Sequence, residues 1–114
     1  MKRILIVDKE FSKYEYIINH ITINHITALI NFFKTIPETI KKLNDNDEYI
    51  LIIKEGKSFE KYRSIIHRNN VKSIIWLANI NIDINKKITI LNNRTITQVK
   101  QEIIRIIDKI FRKY

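Results

Sequence analysis

The run Ile4-Leu5-Ile6-Val7, followed at once by Asp8, decides the fold because it is apolar throughout rather than alternating. Continuous apolar runs of this length are typical of parallel strands covered by helices on both faces. Three further runs occupy residues 49–53, 74–78 and 88–91, and a weaker run at 26–30 leads into two phenylalanines. The sequence therefore predicts five strands of a parallel sheet.

Segments of helical period separate these strands. Apolar residues recur every three or four positions in four segments, at 11–21, 36–43, 59–66 and 96–110. Thr35 and Thr95 each begin a capping-box pattern, closed by Glu38 and Gln98, and Ser58 is placed to cap the helix between them. The pattern therefore predicts a helix after most of the strands.

Strands that alternate with helices imply right-handed crossovers and an open α/β sheet. Five such strands most often take the order 2-1-3-4-5, the flavodoxin-like arrangement, with helices on both faces. Residues 79–87 are an exception, since Ile80, Ile82 and Ile84 alternate with polar residues in strand period. We expect one domain over residues 1–114, with the fourth helix short or missing.

The composition excludes several classes of protein. The 114 residues include 21 Lys or Arg against 12 Asp or Glu, a net charge of +9, and no cysteine. The absence of cysteine excludes disulfides, thiolate zinc sites and iron–sulfur clusters, and a single glycine, Gly56, excludes a glycine-rich phosphate loop. No apolar run approaches the roughly 20 residues of a membrane span. We expect a cytoplasmic protein without a cofactor.

The ends of the first and third predicted strands carry a family resemblance. Residues 1–10, MKRILIVDKE, resemble the opening of a response-regulator receiver domain, whose first strand ends in two adjacent acids that hold Mg²⁺. Residues 49–55, YILIIKE, are similar to the third strand of that family, which ends in the phospho-accepting Asp. The resemblance covers the whole chain in element order, but the specific matches are confined to these two strand ends.

The chain departs from that family at most of its signature positions. Asp8 fits the first acid position, whereas the second is Lys9. The acceptor position falls on Glu55, or on Lys54 if the register shifts by one residue. The positions of the family's hydroxyl residue and lysine fall on Ala78 or Asn79 and near Asn92.

These departures predict that the site at the ends of these strands is not phosphorylated. Acyl phosphate formation needs a carboxylate nucleophile at a set reach from Mg²⁺ and cationic stabilisation of the transferring group. Lys9 places positive charge where the metal would lie, and Glu55 is longer by one methylene. Glu55 would instead pair with Lys9 or Lys54, or imitate a phosphorylated Asp. The resemblance thus implies a pseudo-receiver, a non-catalytic regulatory or protein-interaction module rather than an enzyme.

The three histidines show no metal-site pattern in the sequence. His20 and His25 are five positions apart, which places them about 140° apart on a helix and on opposite faces of a strand. Their sequence neighbours are Asn and Thr, with no acid at ligand spacing. His67 closes a predicted helix beside Arg68, where a cation suits the helix dipole. We therefore expect no metal site.

The last helix is the predicted partner surface. Its apolar stripe, which is expected to face the core, consists of Ile96, Val99, Ile103, Ile106 and Ile110. Ile104 and Phe111 flank that stripe. In receivers this helix and the fifth strand are a common dimer and partner face, so the resemblance implies a protein partner or a homodimer there.

A nucleic acid is the alternative partner. The net charge of +9 favours non-specific attraction to polyanions but carries no sequence specificity. Aromatic residues are not interleaved with the cations in the way typical of single-strand binders. The candidate phosphate-binding residues are Lys86, Lys87, Arg94, Arg105, Lys109 and Arg112.

Overall fold

Five parallel strands form one sheet, ordered β2-β1-β3-β4-β5, in the computed structural model of the chain. The strands are β1 (Lys2–Val7), β2 (Leu29–Phe33), β3 (Glu48–Ile53), β4 (Val71–Trp76) and β5 (Ile88–Ile90). All neighbouring pairs are parallel, and Val7 of β1 lies opposite Phe33 of β2 and Ile53 of β3. The predicted sheet order is confirmed, and the architecture is consistent with a flavodoxin-like fold.

The structure describes residues 1–25, 27–54, 68–77, 87–91 and 95–111. Within these ranges a 3-10 helix, η1 (Phe11–Tyr14), leads into α1 (Glu15–Asn24), and α2 (Ile36–Lys41) follows β2. The long helix α3 (Ile96–Phe111) follows β5. The predicted helix over residues 58–66, and all but the last residue of the 79–87 segment, lie outside the described residues.

Helices cover both faces of the sheet because successive side chains of each strand point to opposite faces. On one face, α1 and α3 pack against Ile4 and Ile6 of β1 and their neighbours in β3 and β4. On the other face, Leu5 and Val7 belong to a core cluster against which Ile40 of α2 packs. Residues 49–53 of β3 are all 0% exposed. This complete burial explains why the strand is apolar at every position.

Strand ends differ by a few residues from the sequence prediction. β2 begins at Leu29 rather than at residue 26, because the amide of Ala28 donates to the carbonyl of His25 and closes a turn after α1. β2 is an edge strand with exposed and half-buried residues, so its apolar pattern is mixed. β4 ends at Trp76, two residues before the predicted end.

The helix α3 packs through a stripe that differs in part from the predicted one. Ile103 and Ile106 are buried as expected, but Ile96 is 76% exposed. Ile107 and Phe111 are fully buried in the core instead. The first turn of α3 lies beside the residue that follows β4, at the rim of the sheet, so its apolar side chain has less of the core to contact.

Hydrogen bonds hold both ends of α3. The amide of Gln98 donates to Oγ1 of Thr95 at 3.2 Å, and the amide of Thr95 donates to Oε1 of Gln98 at 3.0 Å. This reciprocal pair is the predicted capping box. At the other end, Nζ of Lys2 donates to the carbonyl oxygen of Phe111 at 2.7 Å, which places a cation at the negative end of the helix dipole.

Candidate functional site

A cleft of about 360 Å³ opens at the carboxyl edge of the sheet. Residues at the ends of β1, β2 and β3 line it. The chain places β2 on one side of β1 and β3 on the other, so the strand order reverses here. Ligands of open α/β sheets bind at such switch points. The cleft brings the predicted pocket residues Asp8 and Lys9 together. Its lining consists of Val7, Asp8, Lys9, Glu10, Lys34, Thr35 and Lys54.

The carboxylate of Asp8 is hydrogen bonded through both oxygens. Oδ2 accepts from the hydroxyl of Tyr14 at 2.6 Å, and Oδ1 accepts from the backbone amide of Glu10 at 3.0 Å. Asp8 is 8% exposed and Tyr14 is 3% exposed. Burial and the hydrogen bond to Asp8 raise the pKa of the Tyr14 phenol well above its ordinary value, so its hydroxyl remains a donor. Asp8 thus holds η1 against the end of β1.

Cations outnumber acids around the cleft. Three of its lining side chains are lysines and two are carboxylates. Lys54 directly follows β3, and its backbone amide donates to the carbonyl of Val7 at 3.1 Å. The nearby side chain of Lys13 and, to a lesser extent, partial burial lower the pKa of Lys54. Lys13 also forms a 2.9 Å ion pair with Glu10. This surplus of positive charge favours an anion over a divalent cation.

Three predicted pocket residues, Glu55, Ala78 and Asn92, lie outside the described residues. Trp76 is placed as expected in β4, opposite Ile53 of β3, where it is 0% exposed. It is the last residue of its strand and thus lies near the carboxyl edge. Trp76 is therefore a buried spectroscopic reporter for that edge of the sheet.

A second cluster of titratable side chains joins the end of α1 to α3. Nε2 of His20, on α1, and Nε2 of His25, which directly follows α1, each lie 2.7 Å from the same Oδ1 of Asp108 on α3. The two imidazole side chains are 21% and 10% exposed, and the carboxylate is 25% exposed. Because α1 runs back along the sheet from the end of β1, this cluster lies far from the cleft. We call these three residues the His-Asp cluster.

The sequence-based expectation that the two imidazoles lie apart, with no acid beside them, is wrong. His25 is the C-terminal cap of α1, with φ −138° and ψ 57°, so it leaves the helix and the angular offset of an ideal helix does not apply. Its ring centroid lies 5.7 Å from that of His20. Asp108 is 83 residues further along the chain than His25, and no local spacing could have connected them.

The carboxylate of Asp108 joins the two imidazoles of the His-Asp cluster. Burial raises the pKa of its carboxyl, but hydrogen bonds and charge interactions with His20 and His25 together bring that pKa below its ordinary value. Asn24 places its amide nitrogen 3.3 Å from Nδ1 of His20. This contact fits an imidazole that accepts at Nδ1 and donates through Nε2 to the carboxylate. The cluster thus links α1 to α3 through side chains.

The residues of α3 that were predicted to contact a partner differ in their exposure to solvent. Phe111 is 1% exposed and belongs to the core, which corrects the expectation that it forms a partner surface. Ile104 is half-buried. Of the predicted phosphate-binding cations, Lys109 is exposed, and Arg105 forms an ion pair with Glu102 one turn earlier.

Of the other predicted phosphate-binding cations, only Lys87 lies within the described residues, and its ammonium group is already hydrogen bonded. Lys87 is half-buried, and its Nζ donates to the carbonyl oxygen of Arg68 at 2.6 Å. Burial lowers the pKa of Lys87. Lys86, Arg94 and Arg112 lie outside the described residues.

A groove of about 360 Å³ lies between α1 and the first turns of α3. We call it the α1–α3 groove. Tyr16 and Ile96 contribute to its apolar lining, and Nζ of Lys100 lies 5.1 Å from the ring centroid of Tyr16. Burial raises the pKa of Tyr16 to about 12. The full lining consists of Lys13, Tyr14, Tyr16, Lys54, Leu77, Ile96, Val99 and Lys100.

Comparisons with known proteins identify no relative. No protein-family model, no curated protein and no solved structure matches the chain. Among the described residues, no helix is long and apolar enough to cross a membrane. The chemistry of the cleft, the groove and the His-Asp cluster is therefore what points to a function.

Proposed function

We propose that the chain is a receiver-like regulatory or protein-interaction module that works without phosphorylation. The observation that carries this proposal is the bonding of Asp8, whose carboxylate oxygens already accept from Tyr14 and from the amide of Glu10. A metal ion at this carboxylate would have to compete with those donors for its lone pairs. The neighbouring lysines of the cleft oppose the same ion by charge repulsion.

The proposed loss of phosphoryl transfer follows from electrostatics. Phosphoryl transfer relies on positioning and on a metal ion that neutralises charge on the transferring group. In enzymes that stabilise an oxyanion, removal of a single hydrogen-bond donor costs about 2.7–4 kcal/mol of transition-state stabilisation. Because Lys9 stands in place of the second acid, it supports the proposal that the module signals through contacts alone.

Trp76 provides a direct test at the carboxyl edge. Addition of Mg²⁺ and then acetyl phosphate should leave its fluorescence unchanged, because no metal ion binds and no phosphoryl group is transferred at the carboxyl edge where Trp76 lies. Unfolding in urea is the positive control, since exposure of this fully buried side chain must change its emission. A Mg²⁺-dependent change that disappears in Asp8→Asn would contradict the proposal.

The α1–α3 groove is the proposed partner surface. Ile96 is 76% exposed there, whereas Phe111 is in the core. Lysines 13, 54 and 100 surround the apolar lining. An apolar surface with a cationic rim is complementary to an acidic segment that carries apolar side chains. The proposed partner is therefore a protein segment of that composition, bound at the first turns of the last helix.

Binding of nucleic acid is the second candidate function. The net charge of +9 favours it, and Lys109 is exposed on α3. The ion pair between Arg105 and Glu102 weakens the case, because it neutralises one of the predicted phosphate contacts. Any such binding would be of the non-specific, salt-sensitive kind.

A salt titration separates the two candidates. If α3 binds phosphates, replacement of Arg105, Lys109 and Arg112 by Gln should reduce the slope of log affinity against log salt by up to about three units. Ile96→Glu is the matched control on the same helix. It should leave that slope unchanged while abolishing capture of an acidic, apolar peptide. No binding of duplex or single-stranded nucleic acid at low salt would eliminate the second candidate.

A further inference from the structure

We propose that the His-Asp cluster is a binding site for a divalent transition metal, with Zn²⁺ as the metal it fits best. The ligands are Nε2 of His20, Nε2 of His25 and a carboxylate oxygen of Asp108, which all lie within 4.8 Å of one another. This site is separate from the cleft at the carboxyl edge and does not depend on the function proposed for that cleft.

The three ligand atoms already lie within 4.8 Å of one another, which is close to the separations that a shared metal ion requires. Zinc binds imidazole nitrogen at about 2.0–2.1 Å and carboxylate oxygen at about 2.0–2.2 Å, so tetrahedral ligands lie about 3.3 Å from one another. Each Nε2 now lies 2.7 Å from Oδ1 of Asp108, a hydrogen-bond distance. Entry of the metal at Nε2 requires each neutral imidazole to carry its proton on Nδ1 instead, so the side-chain amide of Asn24 must turn its oxygen toward Nδ1 of His20. Each Nε2 also moves away from the oxygen by about 0.6 Å.

The backbone that carries the ligands is held in place. Ile21 and Ile107, which lie next to the ligands along α1 and α3, are buried in the shared core. The amide of His25 donates to the carbonyl of Ile21 at 2.8 Å, which holds the end of α1 in position. A site on packed helices keeps its ligands close to binding geometry before the metal arrives.

The type and number of donors select the metal. Two imidazoles and one carboxylate suit Zn²⁺, Co²⁺, Ni²⁺ and Cu²⁺, whereas Mg²⁺ and Ca²⁺ prefer six or more oxygen ligands. Three protein ligands leave one position of a tetrahedral zinc for water. Because the ligands come from α1, its cap and α3, metal binding would clamp the two helices together at this end.

Titration of tag-free protein with ZnCl₂ tests the site. Calorimetry at neutral pH should give one site per chain, and saturation at a hundredfold excess over Kd should raise Tm by roughly 10 °C. His20→Ala and His25→Ala should each lower the affinity by more than about 100-fold, since even residues outside the ligand shell contribute about 10–100-fold. His67→Ala is the matched control and should bind as the unaltered chain does.

A spectroscopic measurement needs no variant and so does not depend on how the variants fold. Co²⁺ added to the unaltered chain should develop the visible absorption of four-coordinate cobalt with nitrogen ligands, and Zn²⁺ should displace it. Three results would overturn the proposal. The first is that Zn²⁺ does not bind and does not raise Tm. The second is that Asp108→Asn and both histidine variants bind Zn²⁺ as tightly as the unaltered chain. The third is that added Co²⁺ shows only the spectrum of the hydrated ion.

Discussion

Replacing Phe111 by Ala should lower the free energy of unfolding by about 3–5 kcal/mol. The ring is 1% exposed and packs in the core cluster that α1, α3 and one face of the sheet share. Its removal leaves a cavity at the end of α3. The expected loss of stability is a large fraction of the roughly 5–15 kcal/mol free energy of unfolding that is typical of a folded domain. Urea unfolding followed by Trp76 fluorescence measures the change.

Ile96→Ala is the control on the same helix. Ile96 is 76% exposed, so its truncation should change stability by no more than about 0.5 kcal/mol. If Phe111→Ala were equally mild, α3 would not be docked as the structure shows. The large expected cost also means that Phe111→Glu would unfold the chain and could not serve as a probe of a partner interface.

Replacing Tyr14 by Phe should lower the free energy of unfolding by about 1.5–3 kcal/mol, the range for hydrogen bonds to charged groups. The substitution leaves the ring in place and removes only the hydroxyl, which donates to Oδ2 of Asp8 at 2.6 Å. Asp8 is 8% exposed, so water can replace the lost donor only in part. Equilibrium unfolding at neutral pH measures the loss.

A double-mutant cycle with Asp8→Asn isolates that hydrogen bond from other effects of the hydroxyl. Tyr14→Phe should cost clearly less in the Asp8→Asn background, where the acceptor no longer carries a full charge. An equal cost in both backgrounds would mean that Tyr14 stabilises the chain through something other than Asp8. The proposal that Asp8 serves the fold rather than a metal would then lose its main support.

The sheet could be predicted because the apolar pattern of each buried strand can be seen in a short stretch of sequence. A strand buried on both faces must be apolar at every position, and β3, with residues 49–53 fully buried, shows that pattern directly. β2 could be placed only approximately, since an edge strand is partly exposed and Leu29 and Asn31 reach solvent. The face of α3 was predicted only in part, because which of Ile96 and Phe111 meets the core depends on where the helix ends relative to the sheet.

The two candidate sites differ in how far the sequence could predict them. Asp8 and Lys9 follow a recognisable strand, so their place at the carboxyl edge follows from topology. The His-Asp cluster depends on a tertiary contact between the end of α1 and α3. His25 reaches Asp108 only because it leaves the helix, and a prediction based on helical angles could not anticipate that turn.

The intact mass of the protein after incubation with acetyl phosphate and Mg²⁺ shows whether the chain works without phosphorylation. We expect an unchanged mass, because the carboxylate of Asp8 is already hydrogen bonded within the fold and Lys9 stands at the second acid position. A receiver domain of known activity, treated in parallel, shows that the donor is competent. A gain of one phosphoryl group that is lost in Asp8→Ala or in Glu55→Ala would show that the site is phosphorylated and that the proposed function is wrong.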